Sequence, residues 1–249
     1  MTELPASPLE QPLSVSATPG WQSACILRQD LRESGRDAAT SFVTFDTRIE
    51  DTDHGPLLVQ VVKGRGAVAD SAPTFGYEHR LLMGDDGTPV AVEARAIDGF
   101  PIAPEVLRDA AERGRVDVRD AIFSGRTFVQ NGPINESVEA TFRFLKPVLP
   151  ADTRLREIVD HEDRSHVMGV VRDANGRTSI AIAVAAGLTA VRRSGVHQVS
   201  VSGWLTVDTE SGLISGEEWS ARVVKTQTEP FELETKITCK LGILENPGT

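Results

Sequence analysis

The chain has 249 residues, enough for one large all-β domain or two small ones, and its hydrophobic fraction of 40% can form a sizeable core. Lys and Arg number 26 and Asp and Glu 36, so the formal net charge of −10 disfavours a nucleic-acid binder and a polybasic membrane-surface protein. No apolar run of 18 residues occurs, so we expect a soluble protein without a membrane span.

Residues 1–20 contain four prolines and no hydrophobic period, which predicts a disordered or draped N-terminal arm. The arm lacks the basic and apolar regions of a signal peptide. The sequence as given therefore predicts a cytoplasmic protein, or a periplasmic one if Met1 replaces a removed signal peptide.

From residue 21 onward the dominant hydrophobic period is two, which predicts antiparallel β-strands joined as long hairpins. The predicted strands are 21–31, 41–50, 56–68, 77–84 and 88–97 in the first half, and 138–145, 166–172, 177–187, 196–208, 213–225 and 231–241 in the second. The segment 154–163 fits a strand or a short helix. We expect a single β-rich domain over 21–245. Two interpretations of its halves, 21–100 and 138–242, remain open: they are similar through an internal duplication, or they are alike only through generic hairpin chemistry.

One segment, PIAPEVLRDAAERG, does not follow the hydrophobic period of two. Pro104 occupies a favourable first helical position and Gly114 a favourable C-terminal cap. The pattern predicts one main helix over about 103–113, in the connection between the two halves. The fold class predicted from these patterns is mainly β and antiparallel.

The hairpin GWLTVDTESGLISGEEWSARV contains two tryptophans in opposite phases. Trp219 alternates with aliphatic residues and is predicted to lie in the core. Trp204 alternates with Ser202 and Thr206, on a polar face where a large aromatic is harder to explain by folding alone. Trp204 and Thr206 are therefore the candidate ligand- or partner-binding residues. Gly212 is expected to need a positive φ in the turn.

The segments SGWLTVDTESGLIS and ANGRTSIAIAV resemble bacterial envelope proteins of the lipoprotein-carrier type and their uncharacterised relatives. The resemblance covers about 167–241. It implies a strongly curved antiparallel sheet, or half-barrel, that wraps one or more helices. It also implies a concave apolar surface that holds an acyl chain or another apolar ligand.

The densest polar cluster, VDHEDRSHVMG, contains Asp160, His161, Glu162 and His166. Imidazoles and carboxylates can bind a metal or transfer a proton. A separation of five residues, however, places the two histidines on one face of neither a helix nor a strand. We therefore predict no metal, no cofactor and no catalytic residue. His79, beside a predicted strand, is expected to be a packed or surface histidine.

The two cysteines, Cys25 and Cys239, lie in the first and last predicted strands. Two interpretations remain open. They are either two small buried side chains or a disulfide that joins the two strands, although the missing export signal argues against the disulfide.

The function predicted from these features is that of a non-catalytic β-sheet binding protein for an apolar small molecule or a protein partner. The first alternative is a structural or assembly protein that pairs through strand edges or the Trp204 face, and a homo-oligomer is compatible with either. The second alternative is a hydrolase or metal-dependent enzyme that uses the 160–166 cluster. No nucleic-acid partner is expected.

Overall fold

In the computed structural model, the described residues are 4–33, 39–65, 75–84, 89–100, 102–105, 107–108, 125–134, 157–174, 176–192, 195–225 and 231–241. They are mainly β-strand, as the period of two predicts. The strands are β1 (Leu13–Ser14), β2 (Gln22–Glu33), β3 (Ala39–Glu50), β4 (Leu57–Arg65), β5 (Phe75–Met83), β6 (Pro89–Ala96), β7 (Thr127–Phe128), β8 (Glu157–Asp163), β9 (His166–Arg172), β10 (Thr178–Arg192), β11 (Gly195–Asp208), β12 (Ile214–Lys225) and β13 (Phe231–Leu241).

The helical residues in this part of the chain are Pro104, Glu105, Leu107 and Arg108, and Leu107 N donates to Ala103 O at 3.3 Å. They fall at the start of the predicted helix. The rest of that helix, 109–113, and the predicted strand 138–145 lie outside the described residues. The ambiguous segment 154–163 forms a strand from Glu157 onward.

Eleven strands form one antiparallel sheet in the order β6-β5-β4-β3-β2-β13-β12-β11-β10-β8, and β9 also pairs with β10. Strands β2 to β6 form one consecutive meander. Strands β10 to β13 form a second one, and β8 and β9 both pair with its edge strand β10, one after the other along its length. The two meanders meet where β2 pairs with β13. That pairing joins the first and the last strand of the large sheet, so it is the only seam between the halves among the described strands.

The register gives the large sheet a core face and an outer face. On the core face of the second meander, Ile182 of β10 lies opposite Leu205 of β11. In the next row, Gly203 of β11 lies opposite Trp219 of β12. Trp204 belongs to the outer face. The opposite orientations predicted for the two tryptophans are thus confirmed by the register, and Trp219 is buried.

Residues from outside the large sheet cover the core face of the second meander. The arm contributes Val15, and the segment 125–134 contributes Phe128 and Ile134, to the same hydrophobic cluster as β10, β11 and β12. Leu9 and Leu13 pack against that cluster. The described part of the arm therefore fills the apolar face of this half.

Backbone pairing holds the arm in place. Ser7 and Val170 exchange N–H···O bonds of 2.9 and 2.8 Å, and Thr18 N donates to Glu210 O at 2.8 Å. Gly169 has a φ of +143°, and a Cβ at this position would overlap the carbonyl of Ser7. A glycine is therefore required where the arm crosses β9, because any side chain would displace the arm.

The structure decides between the two interpretations of the cysteines. Cys25 is disulfide-bonded, and its direct register partner across the β2–β13 seam is Cys239, the chain's only other cysteine. The interpretation as two buried thiols is wrong. Cross-strand neighbours in an antiparallel pair lie close enough for such a bond, whatever their separation along the chain.

The turn between β11 and β12 is built around a buried carboxylate. Asp208 Oδ2 accepts a 2.8 Å hydrogen bond from Ser211 Oγ, and Gly212 N donates to Asp208 O at 2.9 Å. Gly212 has the predicted positive φ, 71°. Burial raises the pKa of the Asp208 carboxyl, while the Ser211 hydrogen bond lowers it and the charge of Glu210 raises it further.

The raised pKa makes stability depend on pH through Asp208. Because the pKa is raised in the folded state, the contribution of Asp208 to the free energy of unfolding is fully present below its ordinary pKa of about 4. This contribution is lost as the pH rises through the pKa of the folded state. We expect Asp208→Asn, which keeps an acceptor for Ser211, to remove this dependence. Urea unfolding between pH 4 and 7 should show the wild-type free energy of unfolding falling relative to that of the variant. A constant difference would contradict the assignment.

Candidate functional site

The core face of the first meander becomes progressively more exposed along β5. Leu81 is 0% exposed, His79 is 5% exposed and Phe75 is 44% exposed, with Tyr77 half-buried between the last two. These four residues alternate along one strand and so share one face. The face is closed at one end and reaches solvent at the other.

Strand β3, which β4 separates from β5, shows the same gradient. Ile49 and Thr47 are buried, whereas Phe45 and Val43 are half-buried. At the closed end, which we call the floor, a separate hydrophobic cluster contains Trp21, Ile49, Leu58, Leu81, Met83 and Leu213. At the other end is the aromatic mouth, consisting of Val43, Phe45, Phe75 and Tyr77.

Ring contacts organise the mouth. The rings of Phe75 and Tyr77 are stacked with centroids 6.4 Å apart, and Tyr77 meets His79 edge-on at 4.8 Å. Gly64 of β4 is the register partner of Phe75, and a Cβ at Gly64 would overlap the Phe75 ring. The absent side chain of Gly64 therefore allows the Phe75 ring to lie across β4.

Between the floor and the mouth lies a polar row, which we define as Ser23, Thr47, Gln60 and His79. These residues are direct register partners across β2, β3, β4 and β5. Gln60 Nε2 donates to Thr47 Oγ1 at 3.2 Å. The side chains of Ser23, Thr47 and His79 are buried. A line of hydrogen-bonding groups thus crosses an otherwise apolar face.

The charged residues of β3, β5 and β6 all lie on the outer face. There Arg48 pairs with Glu50 at 2.7 Å, and Arg80 lies 3.8 Å from Glu50. The Arg95 guanidinium hydrogen-bonds Glu93 and lowers the pKa of that carboxyl. The register places no Asp, Glu, Lys or Arg on the core face of β3 to β6. Any ligand on that face would meet aromatic, aliphatic and neutral hydrogen-bonding groups and one histidine.

The residues predicted to bind a ligand or partner lie elsewhere, on the outer face of β11. Trp204 is half-buried and lies opposite Ala183 and Glu218. Thr206 is buried, and its hydroxyl lies 2.9 Å from Ser215 Oγ and 3.3 Å from Gly216 O. Thr206 is therefore engaged in hydrogen bonds within the sheet. The role of Trp204 stays a prediction.

The polar cluster 160–166 falls where β8 ends and β9 begins. Register places His161 opposite Leu188 and His166 opposite Ala183, on opposite faces of β10. His166 is exposed, and its Nδ1 lies 3.0 Å from Arg164 O. Glu162 forms two hydrogen bonds with Arg164, which lower the pKa of Glu162. The side chains of Asp160 and His161 lie outside the description.

Among the residues that the structure describes, no three His, Cys, Asp or Glu side chains are grouped so that they could hold a metal ion. The same residues contain no helix long and apolar enough to cross a membrane.

Sequence reasoning missed the polar row and the place of His79 in it. The signal was present in FGYEHRLLM, where Phe75, Tyr77, His79 and Leu81 alternate with Glu78 and Arg80. A histidine in phase with aromatic and aliphatic residues, and out of phase with the charges, indicates a core-facing imidazole. What the sequence could not supply was the row itself, which requires the register of four strands.

The fold and this site define a class of protein built on a large open antiparallel sheet, whose core face has no Asp, Glu, Lys or Arg along β3 to β6. No protein-family model and no curated protein matches the chain.

Proposed function

We propose that the protein is a non-catalytic binding protein that holds an apolar small molecule on the core face of β3, β4 and β5. The observation that carries the proposal is the gradient from a closed apolar floor to the partly exposed aromatic mouth. Small-molecule sites are typically apolar concavities with a few placed polar groups. The floor, the polar row and the mouth provide that combination of surfaces.

The second meander supports the proposal by contrast. Its core face is filled by Leu9, Leu13 and Val15 of the arm and by Phe128 and Ile134. On the first meander, Phe75 remains 44% exposed and Phe45 and Tyr77 half-buried. A bound apolar molecule would bury the exposed apolar side chains of the first half, as the arm buries those of the second half. Burial of apolar surface is favourable in both cases.

A strongly curved sheet, of the kind found in lipoprotein-carrier-like proteins, remains part of this proposal. Leu213, beside β12, belongs to the same cluster as Leu58 of β4. Strands β13, β2 and β3 separate β12 from β4. In a flat sheet, four strand spacings would hold them about 19 Å apart. Bending towards the core face, together with bridging by Trp21 and Ala17, accounts for the shared cluster.

We further propose that the protein works in an oxidising compartment, such as a bacterial periplasm. The disulfide of Cys25 supports this proposal, because disulfides persist in such compartments and are rare in the cytosol. Peptide mapping of the protein isolated from its native cells with thiols blocked during lysis would test it. Recovery of Cys25 as a free thiol would contradict it.

The binding proposal can be tested with an uncharged fluorescent apolar probe, N-phenyl-1-naphthylamine. We expect saturable binding of about one probe per chain. Phe75→Ala should weaken it about tenfold, because removal of one aromatic contact is worth about 1.4 kcal/mol.

Ile26→Ala is the matched control, because Ile26 is a 52% exposed apolar residue on the outer face of β2. Its probe affinity should match that of the wild type. Absence of saturable binding, or equal weakening in both variants, would refute the site. Native mass spectrometry of the protein as purified would identify any molecule retained there.

A further inference from the structure

The polar row points to the chemical class of the ligand. We infer that the ligand is an amphiphile with an uncharged, hydrogen-bonding head group, such as a long-chain alcohol or a monoacylglycerol, and that Gln60 and His79 bind this head group. The inference rests on the proposed function, since it concerns the molecule that would occupy the core face of β3, β4 and β5.

The first argument is the hydrogen-bonding capacity of the row. The 3.2 Å bond to Thr47 uses one N–H of Gln60. The other amide N–H and the carbonyl oxygen of Gln60 have no partner within the described part of the chain. Gln60 can therefore donate one hydrogen bond and accept another. A hydroxyl group also does both, so it matches the amide, whereas an ionised carboxylate only accepts.

The second argument is the charge of the surroundings. The core face of β3 to β6 has no Lys or Arg, and the arginines of these strands that the structure describes with their side chains, Arg48, Arg80 and Arg95, pair with carboxylates on the outer face. Burying an anion away from a cation carries a large desolvation cost. A neutral head group avoids that cost. It also offers hydrogen bonds to the remaining N–H and the carbonyl oxygen of Gln60, which an alkane cannot do.

The third argument concerns orientation. The polar row lies between the floor, where Leu58 and Leu81 are buried, and the aromatic mouth. His79 and Phe75 are four residues apart on one strand, a separation of about 13 Å. A head group at the row would therefore direct its alkyl chain past Tyr77 towards Phe75. The apolar part of the ligand would cover the half-exposed rings.

The test compares two ligands with the same chain length, 1-decanol and decanoate, as competitors of N-phenyl-1-naphthylamine at pH 8. On the wild-type protein, decanol should bind about tenfold more tightly than decanoate. In Gln60→Leu, the ratio of the two affinities should fall to about threefold or less in favour of decanol, whatever the change in affinity for the probe. Thermal melting of the variant would check that it remains folded.

Three outcomes would overturn the inference while leaving the proposed function intact. A preference for decanoate that disappears in His79→Phe would show that the imidazole binds an anion. Equal affinities of the wild-type protein for decanol and decanoate would show that the polar row does not distinguish their head groups. An undiminished preference in Gln60→Leu would show that apolarity alone selects decanol. Failure of the probe itself to bind would refute the proposed function and the inference with it.

Discussion

Truncation of Trp219 to alanine should lower the free energy of unfolding by about 3–5 kcal/mol, the usual cost of removing a large buried aromatic side chain. Trp219 is 5% exposed and belongs to the main hydrophobic cluster. Its register partner is Gly203. A Cβ at Gly203 would clash with Trp219 and with the Glu218 carbonyl. The strands approach so closely there that the structure has little freedom to collapse into the cavity.

Trp204→Ala is the matched control, one residue from Gly203 on the same strand. Trp204 is half-buried on the outer face, so we expect its truncation to cost about 1 kcal/mol or less. Urea unfolding of both variants, followed by circular dichroism, would give the two free energies. Equal, large losses would contradict the assignment of the two tryptophans to different faces and remove the reason to consider Trp204 a binding residue.

The local pattern was enough to predict most of the described strands, because the alternation of apolar and polar residues within each strand shows which side chains share a face. FELETKITCKL and GWLTVD could be assigned without knowledge of their neighbours. The Asp208-to-Gly212 turn was also local, since Gly212 must adopt a positive φ. The two faces of the tryptophan hairpin followed from the same alternation.

The sites required information that no single strand contains. Ser23, Thr47, Gln60 and His79 lie far apart in the sequence and become one row only through three strand registers. The course of the arm depends on Gly169, whose missing side chain admits the Ser7 carbonyl. Neither relationship leaves a periodic signal, because both are contacts between distant segments.

The disulfide is the clearest case of this kind. Cys25 and Cys239 each look like a small strand residue in the sequence, and only the pairing of the first strand with the last brings them opposite each other. The bond lies at the seam between the two meanders. It closes almost the whole chain into one loop, so it restricts the unfolded state more than a local bridge would.

Reduction of this bond should therefore lower the free energy of unfolding by about 2–5 kcal/mol. The seam should open first, because no other strand pairing joins the two meanders among the described residues. Urea unfolding with and without a thiol reductant would measure the effect, and hydrogen exchange of β2 and β13 amides would locate it.

The double variant Cys25→Ser/Cys239→Ser is the matched control. It should unfold with the free energy of the reduced wild type and show no response to the reductant. A reductant effect that persists in this variant would come from another source. Identical unfolding of oxidised and reduced wild type would show that the β2–β13 ladder holds the two halves together without the covalent bond.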